Sequence, residues 1–212
     1  MPTIEQARNW YRSADPVHDF EHVMRVYHLA TRLAQAEGAD VEIVQAAALL
    51  HDVDGSAPGT DGQARAAHHI RSAEFAGDLL RREGWEEERV EAVMHCIRAH
   101  RYRSTEAPET IEAKTLFDAD KLDVIGAVGA ARSIAYAVLD GSPIYSEPSD
   151  KFKSTMEKED GEEHSSYHEF IFKLSKVKGR LFTPSAVKLA EARHAFLQEF
   201  YDQLGAEYRG ER

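Results

Sequence analysis

Apolar residues recur with helical spacing along most of this chain. Between Phe20 and Gly38 they appear every three or four positions, which is the period of one face of an α-helix. Val41 to Leu50 is almost uniformly apolar, as is typical of a helix buried on most sides. Further helices are predicted at 4–11, 64–83, 86–98, 110–140 (with a break near Gly126 or Gly129), 167–177 and 184–204. No convincing period-2 alternation appears, so the pattern predicts an all-α fold.

Two polar stretches interrupt the helical pattern. Asp54 to Gly62 is dense in Gly, Pro, Asp and Ser and is predicted to be a loop. It directly follows the apolar helix, and loops held beside a rigid site often carry substrate contacts. Residues 141–165 mix turn residues with a charge run, which predicts an irregular segment that is a lid, an oligomer contact, a partly disordered stretch or a solvated loop.

Composition narrows the class of protein. The 212 residues, 42% of them hydrophobic, are enough for one globular domain over 1–212, with residues 166–205 forming the C-terminal helices. A net charge of −11 argues against nucleic acid and an anionic membrane as partners. The single Cys96 cannot form an intramolecular disulfide, and neither a membrane span nor a secretory leader is readable, so we expect a cytoplasmic protein. The sequence does not predict an oligomeric state.

The apolar helix ends at two adjacent polar residues, His51 and Asp52. Burying an imidazole and a carboxylate there without partners would cost several kcal/mol. Either a hydrogen-bonded network or a bound divalent cation would offset this cost. Imidazole and carboxylate ligands suit Mn, Fe, Zn, Ni or Co.

Two other segments add donors of the same kind. His18, His22 and Arg25 are spaced by four and three residues, so they share a helical face. The segment 118–123 carries four charged residues among apolar ones: Asp118, Asp120, Lys121 and Asp123. Such a pattern is more typical of residues that surround a polar site in the core than of a solvent-exposed surface. It therefore favours a bound metal ion.

In this order, His22, the His51-Asp52 pair and Asp120 resemble the H…HD…D pattern of the HD-domain metal-dependent phosphohydrolase superfamily. The flanking text is similar to the bacterial branch of the YpgQ and YedJ proteins. The matching strings are HDFEHVMRV, AALLHDVD, LFDADKLDVIGAVGAAR and YHEFIFKLSKVKGRLFTPSAVKLAEARHAFLQEF. Together they extend over nearly the whole chain.

The resemblance implies a single-domain, all-α HD-domain helical bundle with a mononuclear metal site in its core. Its ligands would be His22, His51, Asp52 and Asp120, and the ion would be Mn, Ni, Co, Fe, Mg or Zn. The implied function is metal-dependent phosphohydrolysis of a small phosphorylated substrate, a nucleotide above all, with release of pyrophosphate from a nucleoside triphosphate. The alternatives are a cyclic phosphodiester hydrolase, a non-catalytic regulatory module that binds a metal and a nucleotide, and a helical interaction protein.

Roles around this site are expected for several further side chains. Asp52 would also orient the attacking water, and Lys121 and His100 would assist catalysis through charge and proton transfer. Contacts with the substrate are expected at five residues: His18, Arg25, His69, Asp123 and His168. Support of the site, or a place on the surface, is the alternative for five of these groups: His18, Arg25, His69, His100 and Lys121.

Two differences from other HD branches bear on the chemistry. Some related nucleotidases carry a glutamate three positions after the HD aspartate, where this chain has Gly55, which leaves Asp54 as the carboxylate available near that loop. Branches with two metals add downstream histidines, and this chain has four in that stretch: His68, His69, His95 and His100. A second metal is therefore the alternative to a mononuclear site.

Overall fold

The structure is a computed structural model that describes residues 1–11, 20–54, 62–102 and 106–212, without the side chains of 62–67. The predicted substrate contact His18 and the loop position Gly55 lie outside these residues. Throughout the described ranges the regular structure is helical and no strand occurs, which confirms the all-α prediction. The helices are α1 (Ile4–Trp10), α2 (Phe20–Glu37), α3 (Val41–Leu50), α4 (Gly62–Arg82), α5 (Glu87–Ala99), α6 (Ile111–Leu122), α7 (Gly126–Leu139), α8 (Asp150–Thr155), α9 (Ser166–Phe172), a 3-10 segment (Leu174–Arg180) and α10 (Pro184–Tyr208).

Helix α3 has the bounds that its apolar run predicts. Asp40 caps its start, because its carboxylate accepts hydrogen bonds from the backbone N–H groups of Glu42 and Ile43 at 3.0 and 3.2 Å. The predicted break in 110–140 lies between α6 and α7. A side chain at Gly129 would bring its Cβ within 2.2 Å of the Val124 carbonyl oxygen, so this close approach requires glycine.

The C-terminal third differs from the predicted pattern in detail. The segment 141–165 contains the short helix α8, which is capped by Ser149, whose side chain accepts from the Phe152 N–H at 3.0 Å. The helix predicted at 167–177 is instead α9 followed by the 3-10 segment. Hydrogen bonds from polar side chains create these boundaries, and apolar periodicity does not report them.

The chain divides into two compact units. The first comprises residues 1–120 with 182–186, and the second comprises 121–181 with 187–212. In the first unit α3 packs against α2 and α5, and its fully buried Ala46, Ala47 and Ala48 allow close approach of the neighbouring helices. The prediction of one domain over the whole chain stays a prediction.

Two helices together reach the length and composition of a membrane span. Among the described residues no single helix is long and apolar enough to cross a membrane, whereas α6 and α7 would pass if they were taken as one bent segment.

Candidate metal centre

A hydrogen bond at the C-terminal end of α3 fixes the orientation of the His51 ring. The last carbonyl groups of a helix have no partner within it. The His51 Nδ1 lies 2.8 Å from one of them, the Ala48 oxygen, and donates to it. With the proton on Nδ1, the Nε2 lone pair of this buried ring is available to bind a metal ion.

Four side chains offer possible metal-binding atoms around the Nε2 atoms of His51 and His22, and we call them the first cluster: His22, His51, Asp52 and Asp120. The Nε2 atoms of His22 and His51 are 3.4 Å apart. The Asp52 Oδ2 lies 3.6 Å from the His51 Nε2 and 3.9 Å from the His22 Nε2. The Asp120 Oδ1 lies 3.5 Å from the His22 Nε2. The structure therefore brings together the predicted metal ligands from α2, α6 and the end of α3.

A second cluster shares Asp52. Its other oxygen, Oδ1, lies 3.2 Å from the His68 Nε2 and 3.5 Å from the His100 Nε2. The His100 Nδ1 donates to the Ile97 carbonyl oxygen at 2.6 Å, at the end of α5, and this repeats the arrangement of His51. The second cluster therefore consists of Asp52, His68 and His100, and each of its residues offers one ligand atom.

The two clusters fit a divalent cation. Metal bonds to imidazole nitrogen and carboxylate oxygen are about 2.0–2.2 Å long, which separates neighbouring ligand atoms by roughly 3.0–3.4 Å. The donor atoms here have separations close to that range. The Asp52 Oδ1 is also buried, and although the His68 and His100 Nε2 atoms lie 3.2 and 3.5 Å away, it receives no hydrogen bond of normal geometry within the described ranges. Because an unsatisfied buried carboxylate oxygen is costly, a cation between these donors accounts for the arrangement better than hydrogen bonds alone.

The charge of Asp52 is set by its neighbours. Burial opposes its ionisation, but His51, His100 and His68 outweigh burial and hold the pKa of this carboxyl well below its usual range. Burial lowers the pKa of His100, against the opposing effect of Asp52. A negative carboxylate among neutral imidazoles is the state that binds a metal ion.

The ring of His69 lies beside this group. Burial, and then electrostatic interactions with His100, His68 and Arg101, lower its pKa to about 4. Its Nδ1 is buried and forms no hydrogen bond with any residue that the structure describes. The predicted substrate contact at His69 stays a prediction, with one polar atom available for it.

The other predicted groups near the ligands lie on α2 and close to the end of α6. Arg25 is half-buried one turn after His22. Lys121 and Asp123 are buried, belong to the second unit, and follow the predicted ligand Asp120 in the chain. Asp123 forms an ion pair with Arg132 of α7. The roles expected for these residues stay predictions.

Two predicted polar residues have structural partners. His168 is fully buried in the second unit, with its Nδ1 2.8 Å from the Ser165 hydroxyl and its Nε2 3.0 Å from a Glu162 oxygen. Since both ring nitrogens are engaged, the geometry does not support the substrate contact predicted for His168. Asp118 accepts hydrogen bonds from the Phe182 and Thr183 backbone and from the Thr183 hydroxyl, so it anchors the start of α10.

Two residues near the ligands were not assigned to the site by sequence reasoning. The sequence marked His68 only as one of four downstream histidines. Of the adjacent rings of His68 and His69, it is the His68 ring that reaches Asp52. Tyr11 was predicted only as the last residue of the first helix, and its hydroxyl bonds to the Leu49 carbonyl beside the His51-Asp52 turn. No sequence signal marks a contact between residues so far apart in the chain.

Comparisons with known proteins agree with this site. The family model of the HD domain matches residues 19–125. The uncharacterized protein YpgQ of Bacillus subtilis is 35% identical over 99% of this chain and 96% of its own length. Its crystal structure in complex with ADP has a TM-score of 0.72 at 31% identity and 97% coverage of both chains. An HD-superfamily hydrolase from Bacillus thuringiensis has a TM-score of 0.72 at 30% identity, covering 97% of this chain and 94% of the other. The match to the family model, the similarity over the full length and the clustered histidines and aspartates show that the chain belongs to the HD-domain family of metal-dependent hydrolases.

Proposed function

We propose that this protein is a divalent-metal-dependent phosphohydrolase that cleaves nucleotides and releases pyrophosphate from nucleoside triphosphates. The observation that carries the proposal is the first cluster: the Nε2 atoms of His22 and His51 and one Asp52 oxygen lie 3.4–3.9 Å from one another, and an Asp120 oxygen lies 3.5 Å from the His22 Nε2. YpgQ, which is similar over its full length, has been crystallised in complex with ADP, and this supports a nucleotide as substrate.

His22, His51, Asp52 and Asp120 would hold the ion. A divalent cation in such a site polarises a phosphoryl oxygen and makes water a better nucleophile near neutral pH. Asp52 would keep its negative charge and accept a hydrogen bond from the attacking water. Arg25 and Lys121 would bind phosphate oxygens, and the His69 Nδ1, which has no hydrogen-bond partner among the described residues, offers a further hydrogen bond to the substrate.

Local positive charge is essential to this proposal. The protein has a net charge of −11, which repels a nucleotide at long range. A divalent ion in the first cluster would reverse the sign of the field where the phosphates bind. Hydrolysis should therefore require added metal and cease with a chelator.

A nucleotide panel with product identification tests the proposal. Purified protein is incubated with nucleoside mono-, di- and triphosphates and Mn, Co, Ni or Mg, and orthophosphate and pyrophosphate are measured separately. We expect pyrophosphate from triphosphates, and loss of this product in His51→Ala. His28→Ala is the matched control, because His28 is an exposed histidine on α2. If no metal supports release of either product, the enzyme proposal is wrong and a regulatory module that binds metal and nucleotide is favoured.

The second cluster favours one other reaction, hydrolysis of a cyclic phosphodiester. Asp52 faces His68 and His100 with one oxygen while its other oxygen faces the first cluster, an arrangement that can hold two ions. Elemental analysis of protein loaded with Mn separates the two reactions. One ion per chain together with pyrophosphate release supports the first, whereas two ions per chain and turnover of a cyclic nucleotide support the second.

A further inference from the structure

The residue that follows α1, Tyr11, is buried against the end of α3. Its hydroxyl donates a hydrogen bond of 2.9 Å to the carbonyl oxygen of Leu49. The two residues are 38 positions apart in the chain. The N-terminal helix is therefore tied to the turn that carries the ligand pair His51 and Asp52.

This hydrogen bond takes the place of one that α3 lacks. In a continuing helix the Leu49 carbonyl would accept from the N–H of Val53. The helix ends at Leu50, and the Val53 N–H donates to the Leu50 oxygen instead, at 3.4 Å. The Tyr11 hydroxyl satisfies the Leu49 carbonyl that is left in the last turn.

The same hydroxyl also lies next to Asp52. Burial, and then the negative charge of Asp52, raise the pKa of Tyr11 well above its usual value, while a hydrogen bond from the Asp52 backbone N–H acts in the opposite direction. The tyrosine hydroxyl therefore bonds to the turn whose backbone presents both oxygens of Asp52 to the two clusters.

Helix α1 contacts the segment that carries His22 as well. The Arg8 guanidinium lies 4.6 Å from the centre of the Phe20 ring, and the Tyr11 ring lies 5.8 Å from it. Phe20 begins α2, two residues before His22. A single short helix is thus packed against the elements that present three of the four ligands in the first cluster.

We infer that Tyr11 is a positioning residue for the metal centre, which holds the His51-Asp52 turn in the conformation that binds the ion. The inference rests on the proposed metal site. Groups that orient metal ligands typically contribute about 10- to 100-fold to metal affinity or activity. Tyr11 does this through the backbone, since its hydroxyl bonds to the main chain of the turn that carries the ligands.

The test compares Tyr11→Phe with Tyr201→Phe. The Tyr201 hydroxyl is also buried and bonds to the Ser133 hydroxyl at 2.9 Å, but it lies in the second unit, so the two variants remove the same group from different places. Manganese affinity is measured by calorimetric titration of metal-free protein, and unfolding is followed in the same samples. We expect Tyr11→Phe to raise the Kd for Mn about tenfold and Tyr201→Phe to leave it unchanged, with similar losses of stability.

The outcomes separate this inference from the proposed function. If the wild-type protein binds no Mn, the proposed metal site is wrong. If the wild type binds Mn and Tyr11→Phe binds it equally well, only the inference about Tyr11 is overturned. Should Tyr11→Phe fail to fold, Arg8→Leu tests the contact of the same helix with Phe20, where a threefold rise in Kd is expected and an unchanged Kd overturns the inference.

Discussion

Two fully buried histidines in this protein have opposite environments. His51 donates from Nδ1 to its own helix, and its Nε2 faces a histidine nitrogen and a carboxylate oxygen at 3.4 and 3.6 Å. His168 has a hydroxyl at one nitrogen and a carboxylate at the other, and the ring of Phe152 packs against it at 4.6 Å. Burial alone does not distinguish a ligand from a structural histidine, whereas the number of donors that converge on one nitrogen does.

Glu162, the partner of His168, is held by several hydrogen bonds of its own. Glu162 accepts from the Ser149 backbone and hydroxyl and from the Glu159 backbone, and these contacts together with His168 lower its pKa to about 2. The segment 141–165 is thereby tied down at the start of α8. His168 stabilises a turn, and the open side of His51 is left for an ion.

The largest expected difference between the two histidines is in the response to metal. An ion that binds only the folded state raises its stability, by about 2.7 kcal/mol at a concentration of 100 times its Kd. We expect Mn to raise the Tm of the wild type and of His168→Ala, and to leave His51→Ala unchanged. Without metal, His168→Ala should lose about 1–3 kcal/mol of unfolding free energy, because the substitution leaves Glu162 without its buried partner.

Thermal unfolding of the metal-free and Mn-loaded forms checks this prediction. A folded His168→Ala protein that no longer responds to Mn would contradict the structural role assigned to this residue. A normal response of His51→Ala would exclude His51 as a ligand.

The same contrast applies to two aspartates on α6. Asp118 accepts three hydrogen bonds from residues 182 and 183, whereas Asp120 faces His22. We expect Asp118→Asn to lower the free energy of unfolding by about 1–3 kcal/mol with little change in Mn affinity. Asp120→Asn should weaken Mn binding more than tenfold and change the metal-free stability by less than about 0.5 kcal/mol.

Urea unfolding and calorimetric titration of both variants measure these two effects. The contrast fails if Asp118→Asn proves the weaker metal binder of the pair.

The smallest expected effect is on the pH dependence of stability. The pKa of His69 is about 4 in the folded protein, against an ordinary value of 6.5, so between these values the unfolded chain binds a proton that the folded protein does not. The contribution of neutral His69 to the free energy of unfolding is fully present above pH 6.5, and it is lost as the pH falls toward 4. In His69→Gln the fall in unfolding free energy from pH 7 to pH 5 should be smaller than in the wild type.

Urea titrations with a chelator present measure this slope without interference from metal binding. His28→Gln, at an exposed position, is the control and should keep the wild-type slope. An equal slope in His69→Gln would show that another group governs the acid response.

The sequence predicted what depends on local pattern. The bounds of α3 follow from an apolar run that starts after a capping aspartate, and the break before α7 follows from its glycines. The ligand set came from motifs in a fixed order, and these lie on separate helices that the fold brings together. In each case the signal lies within a few neighbouring residues or in the resemblance to the HD superfamily.

What the sequence did not predict depends on contacts between distant residues. His68 and His69 are adjacent, and only the packing of α4 decides which ring reaches Asp52. The bond from Tyr11 to Leu49 joins the residue after α1 to the last turn of α3. For His168 a local signal did exist, because Ser165 three positions earlier forms a capping box with it.

Asp52 gives one negative charge to two sets of histidines. Any ion held at its Oδ2 draws on the same charge as an ion held at its Oδ1. Filling one cluster would therefore lower the affinity of the other, and thermodynamic reciprocity requires the same factor in both directions. The first ion would bind tightly and the second weakly, so the number of ions per chain would vary with the free metal concentration around the protein.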